Sequence, residues 1–121
     1  MSQINLSISQ LHNAYSSGEL SPATLISHLT EQAKQQEAVW LHVLSAQELA
    51  PYLKALESKS LKTHPLYGVP FAIKDNIDLA GIPTTAACPE FTYTPENSAF
   101  VVEQLIAAGA IPIGKTNLDQ F

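Results

Sequence analysis

Arginine is missing from this chain, and charge of either sign is scarce. All six cationic residues among the 121 are lysines, charged residues make up only 14%, and the net charge is −5. Globular domains usually devote about a quarter of their residues to charge. A surface this poor in charge implies that part of it is meant to be covered. Without arginine or a basic patch, nucleic acid is not an expected partner. Cysteine is reduced to Cys88, which excludes an internal disulfide and fits a reducing compartment. The N-terminus lacks the apolar stretch of a signal peptide, and no run approaches the length of a membrane span. A soluble, cytoplasmic protein is the expectation. Asn5-Leu6-Ser7 matches a glycosylation sequon, which is read as chance in a chain without a secretion signal.

What is present is punctuated for helices and strands in a length that suits one small domain. Ser7-Ile8-Ser9-Gln10 fits a capping box, Ile8, Leu11 and Tyr15 follow at helical spacing, and Gly18 ends that helix. Ser21-Pro22 opens a second helix with Leu25, Ile26, Leu29 and Ala33 on one face. Trp40 to Leu44 reads as a short buried strand. Residues Ala46 to Leu56 read as a helix that Pro51 must kink or restart, and Glu57 to His64 as a polar linker. A loop with turn formers Gly81 and Pro83 spans Ala80 to Pro95. Asn97 or Ser98 then caps a helix carrying Val101, Val102, Leu105 and Ile106, closed by Gly109. Ala110-Ile111-Pro112-Ile113 is a strand in which Pro112 suggests an edge or a start. Strand, helix and strand make a βαβ unit and predict parallel pairing. Asn117 to Gln120 has the residues of a further helix start just before the last residue, so the chain is expected to be the N-terminal part of a longer protein.

The most informative run is Gly68-Val-Pro-Phe-Ala-Ile-Lys-Asp-Asn76. Its apolar stretch reads as a buried strand with Lys74 at the carboxyl end, where open α/β sheets bind ligands. A lysine forced into an apolar pocket loses its proton and becomes a base. The alternative is a surface lysine that caps the strand or pairs with Asp75 or Asp78. Those aspartates are poor candidates for a catalytic acid–base pair, because their spacing also fits a plain turn. Gly109-Ala-Ile-Pro-Ile-Gly-Lys115-Thr116 satisfies the phosphate-loop pattern, but a helix precedes it and an apolar strand fills it, which inverts the required context. His12, His28, His42 and His64 lack metal-ligand spacing with Cys88. Cys88 itself reads as a small buried thiol. No Gly-x-Ser-x-Gly elbow occurs.

Three blocks together resemble the amidase signature family: Gly68 to Asn76, Gly81-Ile-Pro-Thr-Thr85, and Val101 through Gly109-Ala-Ile-Pro-Ile-Gly-Lys-Thr-Asn117. The likeness runs from about Pro65 to Phe121, and the helices before it are compatible. It implies an α/β fold with a mixed or parallel sheet covered by helices. Residues 1–60 would be the helical start of that domain and 65–121 the beginning of its sheet core. It also implies amide hydrolysis by a Ser-Ser-Lys triad, with Lys74 taking a proton from a bridging serine that activates the nucleophilic one. Asp75 and Asn76 are expected to support the strand end. Both serines would lie beyond Phe121, so this chain alone is expected to be catalytically silent. No metal or organic cofactor is implied. The expected partners are a small amide substrate and the remainder of the domain, with a homodimer of the whole enzyme compatible, and neither nucleic acid nor membrane. Within the family, Thr84 to Pro95 and Asn117 to Phe121 look most like members that hydrolyse allophanate in urea or triazine breakdown. Members that amidate mischarged glutamyl-tRNA are similar through the lysine strand and differ in these two segments. A rival from another class is a non-catalytic module that binds a partner through an uncovered sheet face, against which exposed strand edges argue.

Overall fold

The computed structural model describes residues 7–36, 38–85, 90 and 92–117. The sequon at Asn5, the thiol of Cys88 and the helix start expected after Asn117 fall wholly or partly outside them. Three helices begin at serines or end at glycine much as their local chemistry dictates. Helix α1, Ile8–Ser17, starts where the Gln10 N–H donates to Ser7 Oγ at 3.3 Å, and it stops at Gly18. Helix α2, Pro22–Ala33, starts at Ser21 with proline in its first turn and buries Leu25, Ile26, Thr30 and Ala33. Helix α3, Ala46–Ala55, has a complete capping box: Glu48 N–H donates to Ser45 Oγ at 3.1 Å, and Ser45 N–H donates to Glu48 Oε1 at 2.9 Å.

The expected restart at Pro51 does not occur, because the helix begins at Ala46 and runs through the proline. Pro51 is exposed, so the hydrogen bond its ring forfeits lies toward solvent, and the capping box holds the start. Helix α4, Phe100–Ala107, also differs from expectation. Its N-cap position is Ala99 without a side-chain cap, because Ser98 Oγ accepts the Ala80 N–H at 2.9 Å instead. Gly109 closes that helix region with φ 105°, as expected. Val101 is 54% exposed rather than inward, and Phe100 beside it is 73% exposed.

The sheet has three strands in the order β1-β3-β2, where β1 is Trp40–Val43, β2 is Pro70–Lys74 and β3 is Ile111–Thr116. Strands β2 and β3 are parallel, with α4 between them in sequence, while β1 runs antiparallel to β3. The sheet is therefore mixed. Strands β1 and β2 are its edges and are only partly covered, not fully buried as the apolar runs suggested. Pro112 reverses the other expectation: it lies fully buried within the central strand. The sheet accommodates it because the register shifts at Phe71/Ala72 opposite Pro112, and the ladder with β1 reaches only to Gly114. Gly114 admits β1 at very close range. A Cβ there would lie 2.2 Å from the His42 carbonyl oxygen and 3.1 Å from the Trp40 ring.

The core gathers Ile26 of α2, Leu44, Leu49 and Leu56 around α3, Ile73 of β2, Val102 of α4, and Ile111 and Ile113 of β3. Each such side chain contributes about 1.5–3 kcal/mol by leaving water. Leu79 and Ile82 pin the loop after β2 to the same core. No described helix is long and apolar enough to cross a membrane.

Candidate active site

Lys74 is the last residue of β2, opposite Thr116 at the end of β3. Side chains alternate along a strand. Ile73, which faces the core, and Asp75 are both buried, and Lys74 between them is exposed. A desolvated lysine within the strand is not what this chain presents at that position, because β2 is an edge strand and its covered side belongs to Ile73. The backbone around Lys74 is nonetheless well held. Asp75 N–H donates to Thr116 O at 3.0 Å, and Ile77 N–H donates to Lys74 O at 2.9 Å. Asn76 sits exposed in the turn that follows.

The buried lysine is Lys115, with no exposed surface. Its ammonium lies 3.5 Å from Asp75 Oδ1, and it donates to Pro83 O at 3.4 Å and to Thr84 Oγ1 at 3.3 Å. Burial pushes the Lys115 ammonium below its usual range, opposed by the charge and hydrogen bond of Asp75 and by the charge of Asp78. Asp75 is itself buried and accepts from the Thr85 N–H at 3.2 Å and from the Thr85 hydroxyl. Thr84 Oγ1 in turn donates to Asp78 Oδ1 at 2.9 Å, and the Tyr93 hydroxyl donates to the same oxygen at 2.6 Å. That hydrogen bond and the aspartate charge raise the Tyr93 hydroxyl above its usual range. Backbone bonds between Thr84 and Tyr93 close the loop on itself. The aspartates that read as a plain turn are thus the anchors of a buried polar cluster.

Sequence reasoning misses Lys115 as a site residue because it ends the strand at Ile113. The signal is present: Ile111, Ile113 and Lys115 occupy alternate positions of a strand that is buried along its length. The phosphate-loop pattern is rejected here as its inverted context implied, since its lysine is sealed inside β3. Among the described residues no group of histidine, cysteine and carboxylates could hold a metal ion. His42 instead meets Glu48 at 2.9 Å, and His64 meets the Thr63 hydroxyl at 2.7 Å.

A mixed α/β sheet that presents one lysine at the carboxyl end of a strand, beside a buried ion pair, defines the class of scaffold. The amidase family model matches residues 24–121, and the chain belongs to that family. It is 51% identical over 108 residues to the urea amidolyase of Lachancea kluyveri, covering 88% of this chain and 6% of that protein. It is 38% identical to one subunit of the glutamyl-tRNA(Gln) amidotransferase of Lawsonia intracellularis, covering 99% of this chain and 26% of that one. The structure of Kluyveromyces lactis allophanate hydrolase superposes with a TM-score of 0.80 at 38% identity, over 98% of this chain and 20% of that one. The chain thus spans about a quarter or less of the length of these relatives.

Proposed function

We propose that this chain is the lysine-bearing part of an amide hydrolase that acts on allophanate and releases ammonia and carbon dioxide in the cytoplasm. The observation that carries the reading is the placement of Lys74: an exposed ammonium at the carboxyl end of a strand whose terminus is pinned to its neighbour. In this reading the side that Lys74 faces is covered by further protein. Covering it excludes water from the reacting groups, and the amine form of the lysine is the base. Neutral Lys74 then accepts the proton of a bridging serine, and that serine takes the proton of the nucleophilic one. The nucleophile attacks the amide carbonyl, the proton held by Lys74 returns through the bridging serine to the departing nitrogen, ammonia leaves, and water releases the acyl group. We assign both serines to sequence outside these 121 residues, so the isolated chain is inactive. Asp75 holds the strand terminus through its buried carboxylate, and Asn76 lies where a covering segment would meet the turn.

The likeness to urea amidolyase and to allophanate hydrolase supports the choice of substrate. The test is ammonia release from allophanate by the protein at its full encoded length. Lys74→Ala is expected to lower kcat by about 10²–10⁴-fold, the usual contribution of a positioned proton acceptor. An unchanged kcat removes the proposal. A second reading draws support from the match to the amidotransferase over nearly the whole chain. Ammonia release from glutamine that depends on added partner proteins, with none from allophanate, would select it.

A further inference from the structure

We propose that Lys115 is a positioning residue for Lys74: its ion pair with Asp75 fixes the strand terminus from which Lys74 projects. The proposal rests on the reading of Lys74 given above. Lys115 cannot meet substrate, since it is fully buried where Lys74 is exposed. It acts through Asp75, the next residue after Lys74 in the chain. The Asp75 backbone is bonded to Thr116 O, and its carboxylate is held by Lys115 and Thr85. The two anchors leave Asp75 little freedom to turn, and the Lys74 backbone is fixed with it. The same ammonium reaches Pro83 O and Thr84 Oγ1. One cation therefore ties the ends of β2 and β3 to the loop that follows.

Energetics favour position over stability as its role. A buried ion pair is commonly replaced by apolar residues without loss of stability, because desolvation consumes most of the Coulomb attraction. The main core is aliphatic, but the groups that meet this pair are polar: Pro83 O and Thr84 Oγ1 on the ammonium, Thr85 on the carboxylate. What an apolar pair cannot supply is directional fixation at the end of the strand, and it is there that the ion pair stands. Precise placement of a reacting group matters, since misplacement by about 1 Å from a remote change can cost about a hundredfold in rate.

The experiment compares wild type, Lys115→Met, Thr84→Val and Lys74→Ala at full encoded length, with ammonia release from allophanate and thermal unfolding as readouts. Lys115→Met is expected to lower kcat at least tenfold with KM within about twofold, in protein that elutes and melts as a folded species. Thr84→Val keeps the shape, removes one acceptor of the ammonium and the donor to Asp78, and is expected to lower the melting temperature and to lower kcat severalfold at unchanged KM. Wild-type kcat in folded Lys115→Met overturns the proposal. If Lys115→Met does not accumulate folded, wild-type kcat in Thr84→Val overturns it instead. A fall in melting temperature alone, with kcat per folded molecule intact, assigns the pair to stability and also overturns it. Wild-type turnover in Lys74→Ala removes the parent reading and this one together. An inactive Lys74→Ala beside a fully active Lys115→Met removes this one only.

Discussion

Two lysines lie near the ends of neighbouring strands, one register step apart, and meet opposite environments: Lys74 faces out and Lys115 is sealed in. Chemical acetylation followed by peptide mass spectrometry should find Lys115 the slowest of the six lysines, reacting only on unfolding. Reaction at rates typical of the exposed lysines would contradict the buried pair. Gly114, between Ile113 and Lys115, is equally constrained, because the His42 carbonyl occupies the place of a side chain. Backbone cannot step aside as the end of a flexible side chain can. Gly114→Ala is therefore expected to cost at least about 2 kcal/mol, within the range of overpacking penalties, as read by urea denaturation. Gly68 is held by both conformation and space. Its φ is 68°, and a Cβ would meet the Tyr15 ring at 2.6 Å. The Tyr15 hydroxyl donates to its carbonyl at 2.7 Å, and burial and the neighbouring Tyr67 raise that hydroxyl above its usual range.

At the scale of helices and strands, the capping box of α3 carries a pH signature. Burial pushes the Glu48 carboxyl up, but the Ser45 N–H, the His42 ring and the Ser45 hydroxyl outweigh it and hold the group below its usual range. A carboxylate depressed by folding adds stability above the unfolded value, about 4.3, and loses it as pH falls through the folded value. Glu48→Gln should thus destabilise the protein at about pH 7 and leave it nearly unchanged at about pH 3, by urea denaturation at each pH. Ser45→Ala should cost about 1 kcal/mol near neutral pH. A flat Glu48→Gln difference across that range would remove the role assigned to the carboxylate. These helix starts are legible in the sequence because caps and apolar spacing are local. The start of α4 is not, because Ser98 is claimed by the Ala80 N–H from across the loop. The extent of β3 is not either, since Gly114 and Lys115 are residues that strands disfavour. It becomes a strand because β1 and β2 pair with it on both sides. Around the candidate site, the strand and the place of Lys74 at its end are legible, while the exposure of that lysine is set by the edge position of β2. The partnership of Asp75 with Lys115 is hidden by distance along the chain.

Taken whole, the molecule leaves much apolar surface open. Phe100 and Val101 of α4, Leu41 of β1 and Val39 before it are exposed, in keeping with the scarcity of charge. The central strand is the most protected: Ile111 through Lys115 are all buried. Hydrogen exchange should find its amides the slowest in the protein, with β1 and β2 opening first. Slower exchange in an edge strand than in β3 would contradict the strand order. That order has a further consequence in time. The strand that joins the sheet is the last of the three to be made, and neither of the others pairs without it. At about 5–20 residues per second, residues 44 to 116 take roughly 4–15 s to synthesise. Throughout that interval the nascent β1 has no sheet to enter. The sheet cannot close before Thr116 is made, so Asp75 and Lys115 meet only after that point.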